Sequence, residues 1–277
     1  MSQTKLVLLG TGTPNILPTR YQTSAGVLVD DVPYLVDCGG GTLQRIAQAH
    51  HEKGITGFAF ENLSRIFLTH LHPDHVTGLA DLIIAPWVLD RTDPLQIWGP
   101  TGTRAMIAHL LQAYEIGIGE HRDGLAPINH PLDVLVTEIS AGQVYHDERV
   151  TVTAFPVQHG GLEAYGYQFI SDDRVIVFSG DTTPSQALVD HARECDVLVH
   201  EVYSAQGFAQ RSPEWQAYHH NAHTSTRELA EIAREVQPKL LVLVHQLFWG
   251  QSEEDLLAEI REQYHGEVIS GQDLDVF

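Results

Sequence analysis

The sequence predicts a single α/β domain over residues 1–277, and three observations support this. Short apolar runs of strand length recur along the chain, as at Val197–Val199 and Leu240–Val244. Between them lie segments with apolar residues at helical spacing, such as the one that carries Leu229 and Ile232. The length suits one large core, and no linker, repeat or low-complexity tract divides the chain. This alternation favours a sheet with helices on both faces.

The first half of the chain is predicted to start with strands and glycine turns. Lys5–Leu9 is an apolar strand that runs into a Gly-Thr-Gly-Thr-Pro turn. Two further strands form a hairpin around Asp31-Val32-Pro33, and the Asp37-Cys38-Gly39 turn leads into a helix. In chain order, the later elements are a strand over 66–69, a helix from near His75 that carries Leu79, Leu82 and Ile83, a strand over 95–98, a helix around 106–111 and a loop or lid over 117–131.

The second half is rich in strands before it alternates helix and strand. Strands are predicted throughout 134–157, and a further pair, 165–170 and 174–178, is joined at Asp172-Asp173. Ser225, with Glu228 three residues later, forms a capping box and predicts a helix start. Ser252 marks the start of the final helix.

The chain is strongly acidic, with 16 basic and 36 acidic residues and a formal net charge of -20. Such a surface repels polyanions, so extended binding to nucleic acid is disfavoured. A local basic patch stays compatible with this charge, as does the simpler interpretation that the charge serves solubility.

Targeting signals and cysteine use point to the cytoplasm. No apolar run approaches the length of a membrane helix, so we expect no membrane association. The first residues lack a basic stretch followed by a long apolar core, which argues against a secretory signal. Cys38 and Cys195 form no disulfide framework, and this fits a reducing compartment. A mature protein that has lost its signal would look the same.

The chemistry-bearing segment is Thr69-His70-Leu71-His72-Pro73-Asp74-His75, which follows an apolar strand. Alternation along an extended chain puts His70 and His72 on one side, and Asp74 and His75 follow where a helix should begin. Imidazole and carboxylate are usual zinc ligands. Four such groups cannot converge on one ion and leave it open for chemistry, so the spacing suggests two neighbouring metals. The alternative is a solvated, histidine-rich turn.

Three more candidate ligands come directly after apolar strands. His159 ends the run Phe155-Pro156-Val157-Gln158, Asp181 follows the turn Ser179-Gly180, and His245 ends Leu241–Val244. A lone histidine at a strand end is more often structural than a ligand. Together, however, the three would complete the coordination that residues 70–75 leave open.

These residues resemble the signature of the metallo-β-lactamase superfamily, and within it the ribonuclease Z-like and arylsulfatase-like branch. The similarity runs almost from end to end. In chain order, the matching features are Gly10–Pro14, Asp37-Cys38-Gly39, Gly41-Thr42, His70, His72, Asp74, His75, Gly99-Pro100, His159, Ser179–Thr182, His200-Glu201, His223 and His245. The resemblance implies an αββα four-layer sandwich and a homodimer.

The resemblance also implies a role for each site residue. His70, His72 and His159 would hold one metal, Asp74, His75 and His245 the other, and Asp181 would bridge the two. Zinc is the expected metal, with manganese and iron as alternatives.

A proton-relay pair is implied as well, formed by Glu201 and His223, with Asp74 also assigned to catalysis. A carboxylate at the end of a buried strand needs a partner, as Glu201 would have in His223. A purely structural hydrogen bond between the two is the alternative.

The chain also departs from the family pattern. Members of the family that process transfer RNA carry a long basic, glycine-rich arm between the ligands that correspond to His159 and Asp181. Here only residues 160–180 separate them, and they read as a strand pair. Gly40 replaces an acidic residue, and Gln246–Gly250 replaces a serine-rich stretch that ends in Arg-Tyr. We therefore expect a small, rather apolar substrate pocket.

The predicted function is that of a hydrolase that cleaves small phosphate diesters through a metal-bridging hydroxide. The same site would suit an arylsulfatase, phosphotriesterase, lactonase or β-lactamase, and transfer-RNA 3′-processing ranks lower. Two further alternatives are a di-iron redox protein and a binding or structural protein without catalysis. His159 and the absence of a flavodoxin-like extension argue against the first, and the complete ligand set argues against the second.

Overall fold

A computed structural model describes residues 3–124, 126 and 128–277. Two β-sheets lie between two layers of helices. The first sheet contains, in spatial order, β1 (Thr4–Gly10), β2 (Ser24–Val29), β3 (Val32–Val36), β4 (Arg65–Phe67), β5 (Leu95–Gly99) and β6 (Val134–Glu138). The second contains, in chain order, β7 (Gly142–His146), β8 (Thr151–His159), β9 (Leu162–Ile170), β10 (Val175–Phe178), β11 (Val197–Tyr203), β12 (Leu240–Leu247) and β13 (Val268–Ser270).

The helices connect these strands. In chain order they are α1 (Thr42–His51), α2 (Pro73–Val76), α3 (Leu79–Val88), α4 (Thr103–Ala113), α5 (Glu115–Asp123), α6 (Gln186–Ala192), α7 (Ala205–Ala209), α8 (Pro213–His220), α9 (Thr226–Val236) and α10 (Glu253–Arg261). In each sheet, antiparallel strands give way to parallel ones. In the first sheet β1 to β3 are antiparallel and β3 to β6 parallel. In the second sheet β7 to β10 are antiparallel and β10 to β13 parallel.

Three buried apolar clusters define the layers. The central one joins side chains of both sheets, among them Phe67 of β4 and Tyr167 of β9. The second packs the outer face of the first sheet against α1, α3 and α4, and the third packs the second sheet against α6, α9 and α10. Burying both faces of both sheets removes the apolar side chains of each from water. The expected αββα sandwich is confirmed.

Most predicted elements are present, and both predicted helix starts are capping boxes. Ser225 and Glu228 cap α9, and Ser252 with Asp255 caps α10. The single helix expected from near His75 is instead two helices, α2 and α3, which Gly78 separates. A Cβ on Gly78 would lie 2.4 Å from the carbonyl oxygen of Gly39, so only glycine permits this close approach.

The loop or lid expected over 117–131 is wrong for its first part, because α5 continues to Asp123. Two glycines disfavour a helix there, but tertiary packing overrides them. Ile118 and Arg122 of α5 line a groove with Trp87, and the ring of His121 lies 6.2 Å from that of Trp87. Part of the expected loop, residues 125 and 127, lies outside the described residues.

Sequence reasoning also missed α6, α7, α8 and β13, all of them short. Among the described residues, no helix is both long and apolar enough to cross a bilayer. Cys38 and Cys195 are both buried free thiols.

Candidate metal centre

The first group of candidate ligands comes from the loop after β4 and from the end of β8. The imidazole nitrogen Nδ1 of His72 lies 3.1 Å from Nε2 of His70 and 3.0 Å from Nε2 of His159. Nitrogen ligands about 2.0–2.1 Å from a tetrahedral zinc ion would be roughly 3.3–3.4 Å apart. The three nitrogens therefore converge with the spacing that one metal ion requires.

The second group lies beside the first and is buried. Nε2 of His245 is 3.2 Å from Oδ2 of Asp74, and Nε2 of His75 is 3.6 Å from the same oxygen. Pro73 is the first residue of α2, so the turn that starts this helix carries Asp74 and His75 towards the centre. His245 lies in β12, in the other sheet.

Asp181 lies between the two groups. Its Oδ1 is 3.6 Å from Nε2 of His75, and its Oδ2 is 3.3 Å from Nε2 of His245. The same Oδ2 lies 4.0 Å from Nε2 of His70 and 3.9 Å from Nε2 of His159. Gly180 precedes it with φ of 60°, a backbone conformation that favours glycine and that turns the chain after β10. Asp181 is thus the one carboxylate within reach of both groups among the described residues.

Hydrogen bonds from outside the centre orient the imidazoles. Nδ1–H of His159 donates to the carbonyl oxygen of Ala222 (2.6 Å), which leaves Nε2 as the free nitrogen. Nδ1–H of His75 donates to Oδ2 of Asp37 (2.8 Å) and likewise leaves Nε2 free. Such partners commonly fix the tautomer and ring orientation of metal-binding histidines.

Asp37 has a larger role than its position in a turn suggested. Besides His75, it accepts hydrogen bonds from the backbone N–H and the hydroxyl of Thr69, both at 2.8 Å. The Thr69 hydroxyl in turn accepts from Nδ1–H of His70 (3.0 Å). One buried carboxylate therefore orients a histidine from each ligand group. Sequence reasoning noted Asp37 only as part of a loop.

Two residues at the centre have strained backbones. Asp37 has φ of 58° and His245 has φ of 45°, and for non-glycine residues such values are uncommon. The pairing of β11 with β12 shifts register between Glu201 and Val202, opposite His245, so a bulge turns this side chain towards the centre. Strain of this kind persists where the surrounding structure enforces it, often at functional sites.

The centre attracts positive charge. Burial opposes protonation of His75, yet the carboxylates of Asp181 and Asp37 raise its pKa well above the usual range. Burial also opposes ionisation of Asp181, yet His245 and His75 hold its pKa well below the usual range. Burial, by contrast, lowers the pKa of His70 well below its usual range, which keeps it neutral as a ligand must be.

The donor set fits bound metal ions. Nε2 of His75, which faces Asp74 and Asp181, is buried without a hydrogen-bond partner among the described residues, and such groups normally have one. Ligand-type atoms lie within 4.8 Å of one another in each of two separate groups, His70, His72, His159 and Asp74, His75, His245. A cation in each group would satisfy the nitrogens and offset the carboxylates.

Glu201 and His223 form a buried pair beside the ligands. Nδ1 of His223 lies 3.1 Å from Oε1 of Glu201, which also accepts from the backbone N–H groups of Thr182 and Thr224. Burial raises the pKa of Glu201 well above its usual range, helped by the charge of Asp181, and burial lowers that of His223 to about 4. A neutral pair is thus favoured. His223 Nδ1 is also 3.9 Å from Asp181, so geometry alone would also allow it to bind metal.

The centre opens into a cavity of about 850 Å³. His72, Asp74, Asp181, His223 and His245 lie at its base. The wall is formed in part by residues that sequence reasoning missed, Arg211, Trp215, Tyr218 and His219. Three of these belong to α8, an element that short length and weak apolar periodicity concealed. Leu247 and Trp249 belong to the segment that departs from the family pattern, and both add apolar surface to the wall.

Comparisons with known proteins agree with this geometry. Residues 33–246 match a sequence family described as "Beta-lactamase superfamily domain". Ribonuclease Z of Mycobacterium bovis is 32% identical over 276 residues, covering 98% of this chain and 96% of that protein. A metallo-β-lactamase fold protein of Bacillus subtilis is similar with a TM-score of 0.75, at 17% identity, with 99% of each chain covered. The short form of human tRNase Z gives 0.71 at 22% identity, with 99% and 98% covered.

These relatives overturn one expectation. Extended binding to nucleic acid cannot be set aside when a protein named Ribonuclease Z shares about a third of its residues over nearly the whole chain. The argument from net charge was wrong because it sums the whole surface. Bound cations would offset the negative charge of the carboxylates at the centre, and Arg211 contributes positive charge to the cavity. The expected homodimer and cytoplasmic location stay predictions.

Proposed function

Because this chain belongs to the metallo-β-lactamase superfamily of hydrolases, we propose that it hydrolyses phosphate diesters with two divalent metal ions, zinc first among them. The observation that carries the proposal is the pair of ligand groups that share Asp181 at the base of an open cavity. Two such positions side by side are typical of sites that clamp the attacking and leaving oxygens of a phosphoryl group.

Each residue of the centre has a role in this proposal. His70, His72 and His159 would hold one ion, and Asp74, His75 and His245 the other, with Asp181 shared. When bound, the ions would supply Lewis acidity, which makes water a nucleophile at neutral pH and stabilises charge on the phosphoryl oxygens. Asp37 and Thr69 keep the imidazoles in the ligand tautomer, which is a positioning role.

The proton for the leaving group would come from His223. Its Nδ1 faces Glu201 at 3.1 Å and its side chain lines the cavity, so Nε2 is the nitrogen that can reach the substrate. Nδ1 exchanges a proton with the Glu201 carboxyl group, while Nε2–H faces the substrate. Transfer of that proton to the leaving oxygen can be matched by transfer from Glu201 to Nδ1.

RNA is a second candidate substrate, and one observation favours it. Curated relatives with 31–34% identity carry the name Ribonuclease Z. An RNA strand is itself a chain of phosphate diesters, so both candidates require the same chemistry at the centre. They differ in what the cavity wall and the surrounding surface must bind.

A substrate panel tests the proposal. The zinc-loaded protein would be assayed with bis(p-nitrophenyl) phosphate, p-nitrophenyl sulfate, a phosphate triester, a lactone, a chromogenic β-lactam and a precursor transfer RNA. We expect the diester to give the highest kcat/KM among the small substrates, and Asp181→Ala to abolish it. A higher value for the sulfate, triester, lactone or β-lactam would contradict the proposal. Efficient cleavage of the RNA would make RNA the physiological substrate class.

A further inference from the structure

An aromatic wall lies on one side of the cavity, and the chemistry at the metal centre makes no use of it. The aromatic wall consists of Trp215, Tyr218 and His219 of α8, together with Trp249 from the loop after β12. Trp215 is 51% exposed and Tyr218 46%, and the two lie three residues apart on one helix. Both expose part of their surface while lining the same cavity as the metal ligands.

The rings of the aromatic wall are packed against one another. The His219 ring is stacked on Trp215, with centroids 5.5 Å apart and planes 23° apart, and lies 4.5 Å from Trp249. Trp249 is backed by Tyr203 and Phe208 at 5.4 and 6.3 Å. The buried Nδ1 of His219 has no hydrogen-bond partner among the described residues. Buried polar atoms of this kind normally have a partner, such as an ordered water.

Neighbouring residues hold the aromatic wall in place. The Arg211 guanidinium lies 5.5 Å from the ring centroids of both Trp215 and Trp249, a cation–π arrangement that links α8 to the loop after β12. The side-chain amide of Gln216 donates to the carbonyl oxygens of Phe208 and Arg211 at 3.2 and 3.1 Å. A preorganised surface of this kind loses little entropy when a ligand binds.

The aromatic wall is also continuous with the reaction centre. The ring centroid of His219 is 5.5 Å from that of His223, and that of Tyr218 is 6.4 Å from it. A cavity of about 850 Å³ falls in the range that holds a drug-sized ligand, well beyond a lone phosphate group. A phosphoryl group at the metal ligands would therefore place one of its ester substituents against the aromatic wall.

We propose that the aromatic wall is a substrate subsite that stacks a planar aromatic ring on the substituent that stays on phosphorus, either an aryl group or a nucleobase. The inference rests on the proposed function and deepens it by naming the substrate class. Stacking on aromatic side chains tolerates any ring with a π-face, and Arg211 adds positive charge beside it. Trp215 is the most exposed of the four side chains.

Three diesters with the same leaving group test the subsite. Methyl, phenyl and thymidine 5′ esters of p-nitrophenyl phosphate differ only in the group that stays on phosphorus. Trp215→Ala should lower kcat/KM for the phenyl or thymidine ester by roughly 5- to 150-fold more than for the methyl ester. Trp215→Phe should restore most of the difference. Whichever ester shows the larger effect, phenyl or thymidine, indicates whether the ring of the substrate is an aryl group or a nucleobase.

Tyr114→Ala is the matched control, because Tyr114 is 49% exposed but does not line the cavity. It should leave the ratio between aromatic and methyl esters unchanged. An equal loss for all three esters in Trp215→Ala would overturn the subsite while leaving phosphodiester hydrolysis intact.

A binding measurement separates the two proposals if no diester is cleaved. Phenylphosphonate and methylphosphonate have no ester bond, so calorimetry can compare them on the zinc-loaded protein without turnover. Tighter binding of the phenyl compound, with the difference lost in Trp215→Ala, would support the subsite even if the proposed hydrolysis failed. Equal affinity of the two compounds in the unsubstituted protein would overturn it.

Discussion

Replacement of His223 by alanine isolates proton transfer from metal binding. The Nδ1 of His223 is anchored to Glu201 at 3.1 Å, and the side chain is buried at the base of the cavity. Removing it takes away the proposed donor while every predicted ligand, from His70 to His245, stays in place. We expect His223→Ala to retain two metal ions per chain and to lose rate.

The expected size of the rate loss follows from the role of His223 as general acid. General acid catalysis contributes about 10²–10⁴-fold, which corresponds to roughly 2.7–5.4 kcal/mol in the barrier. The free energy of unfolding should change by less than the activation barrier, because Glu201 keeps the hydrogen bonds from the backbone N–H groups of Thr182 and Thr224. One lost hydrogen bond to a buried group costs about 1–3 kcal/mol. The variant should therefore remain folded.

A series of diesters with leaving groups of rising pKa provides the assay. The rate loss in His223→Ala should reach its full size for poor leaving groups and shrink for good ones, which depart without a proton. Glu201→Gln should show a milder form of the same pattern. His220→Ala is the control, because His220 is exposed at the end of α8, three residues before His223, and does not line the cavity.

Two results would refute the reasoning. Loss of a metal ion from His223→Ala would make the residue a ligand, which its 3.9 Å distance to Asp181 permits. An equal slowing of good and poor leaving groups would replace the acid role with substrate binding.

Three further predictions follow from the contacts. Elemental analysis of fully loaded protein should give two divalent ions per chain, and one ion per chain would contradict the two-metal proposal. Asp181→Ala should be the most damaging ligand substitution, because the Asp181 carboxylate serves both ligand groups. Asp37→Asn should weaken metal affinity by about 10–100-fold in chelator competition, since it disturbs the orientation of His75; unchanged affinity would exclude the positioning role. Glu259→Ala should lower the free energy of unfolding by about 2–4 kcal/mol in urea, because this buried carboxylate accepts from the backbone at the start of α7 and from Thr226 of α9. The exposed Glu262→Ala should change it by less than about 0.5 kcal/mol, and equal effects would contradict the capping role.

The sequence predicted those parts of the molecule that depend on local patterns. Ser225 and Ser252 mark helix starts because a cap satisfies backbone groups within three residues of itself. The segment from His70 to His75 predicted a metal site because four side chains of ligand type, three imidazoles and a carboxylate, occur within six residues. Neither inference required knowledge of what packs against the segment.

Elements held by distant contacts were harder to predict. Helix α5 contains two glycines and forms in contact with Trp87, thirty or so residues earlier in the chain. Helix α8 has little apolar periodicity, since its aromatic residues face a cavity rather than a core. Local propensity is a weak guide wherever tertiary packing decides the outcome. The aromatic wall went unnoticed for that reason.

Net charge misled because it is a property of the whole surface. The value of -20 counts Asp74 and Asp181, which face a site that attracts cations. It also takes no account of position, so it conceals Arg211 beside the cavity. Electrostatic arguments from composition describe solubility and long-range steering, whereas binding depends on the charges that line one site.

The arrangement of the centre explains why its assembly depends on long-range contacts. One ligand segment follows β4 of the first sheet, whereas His159, Asp181 and His245 come from β8, the end of β10 and β12 of the second. Asp37, at the end of β3, orients His75, and Asp181 reaches across to it from the other sheet at 3.6 Å. The two sheets must therefore pack before the ligand groups exist. Metal binding would then stabilise the packed state, because ions that bind only the native protein shift the folding equilibrium towards it.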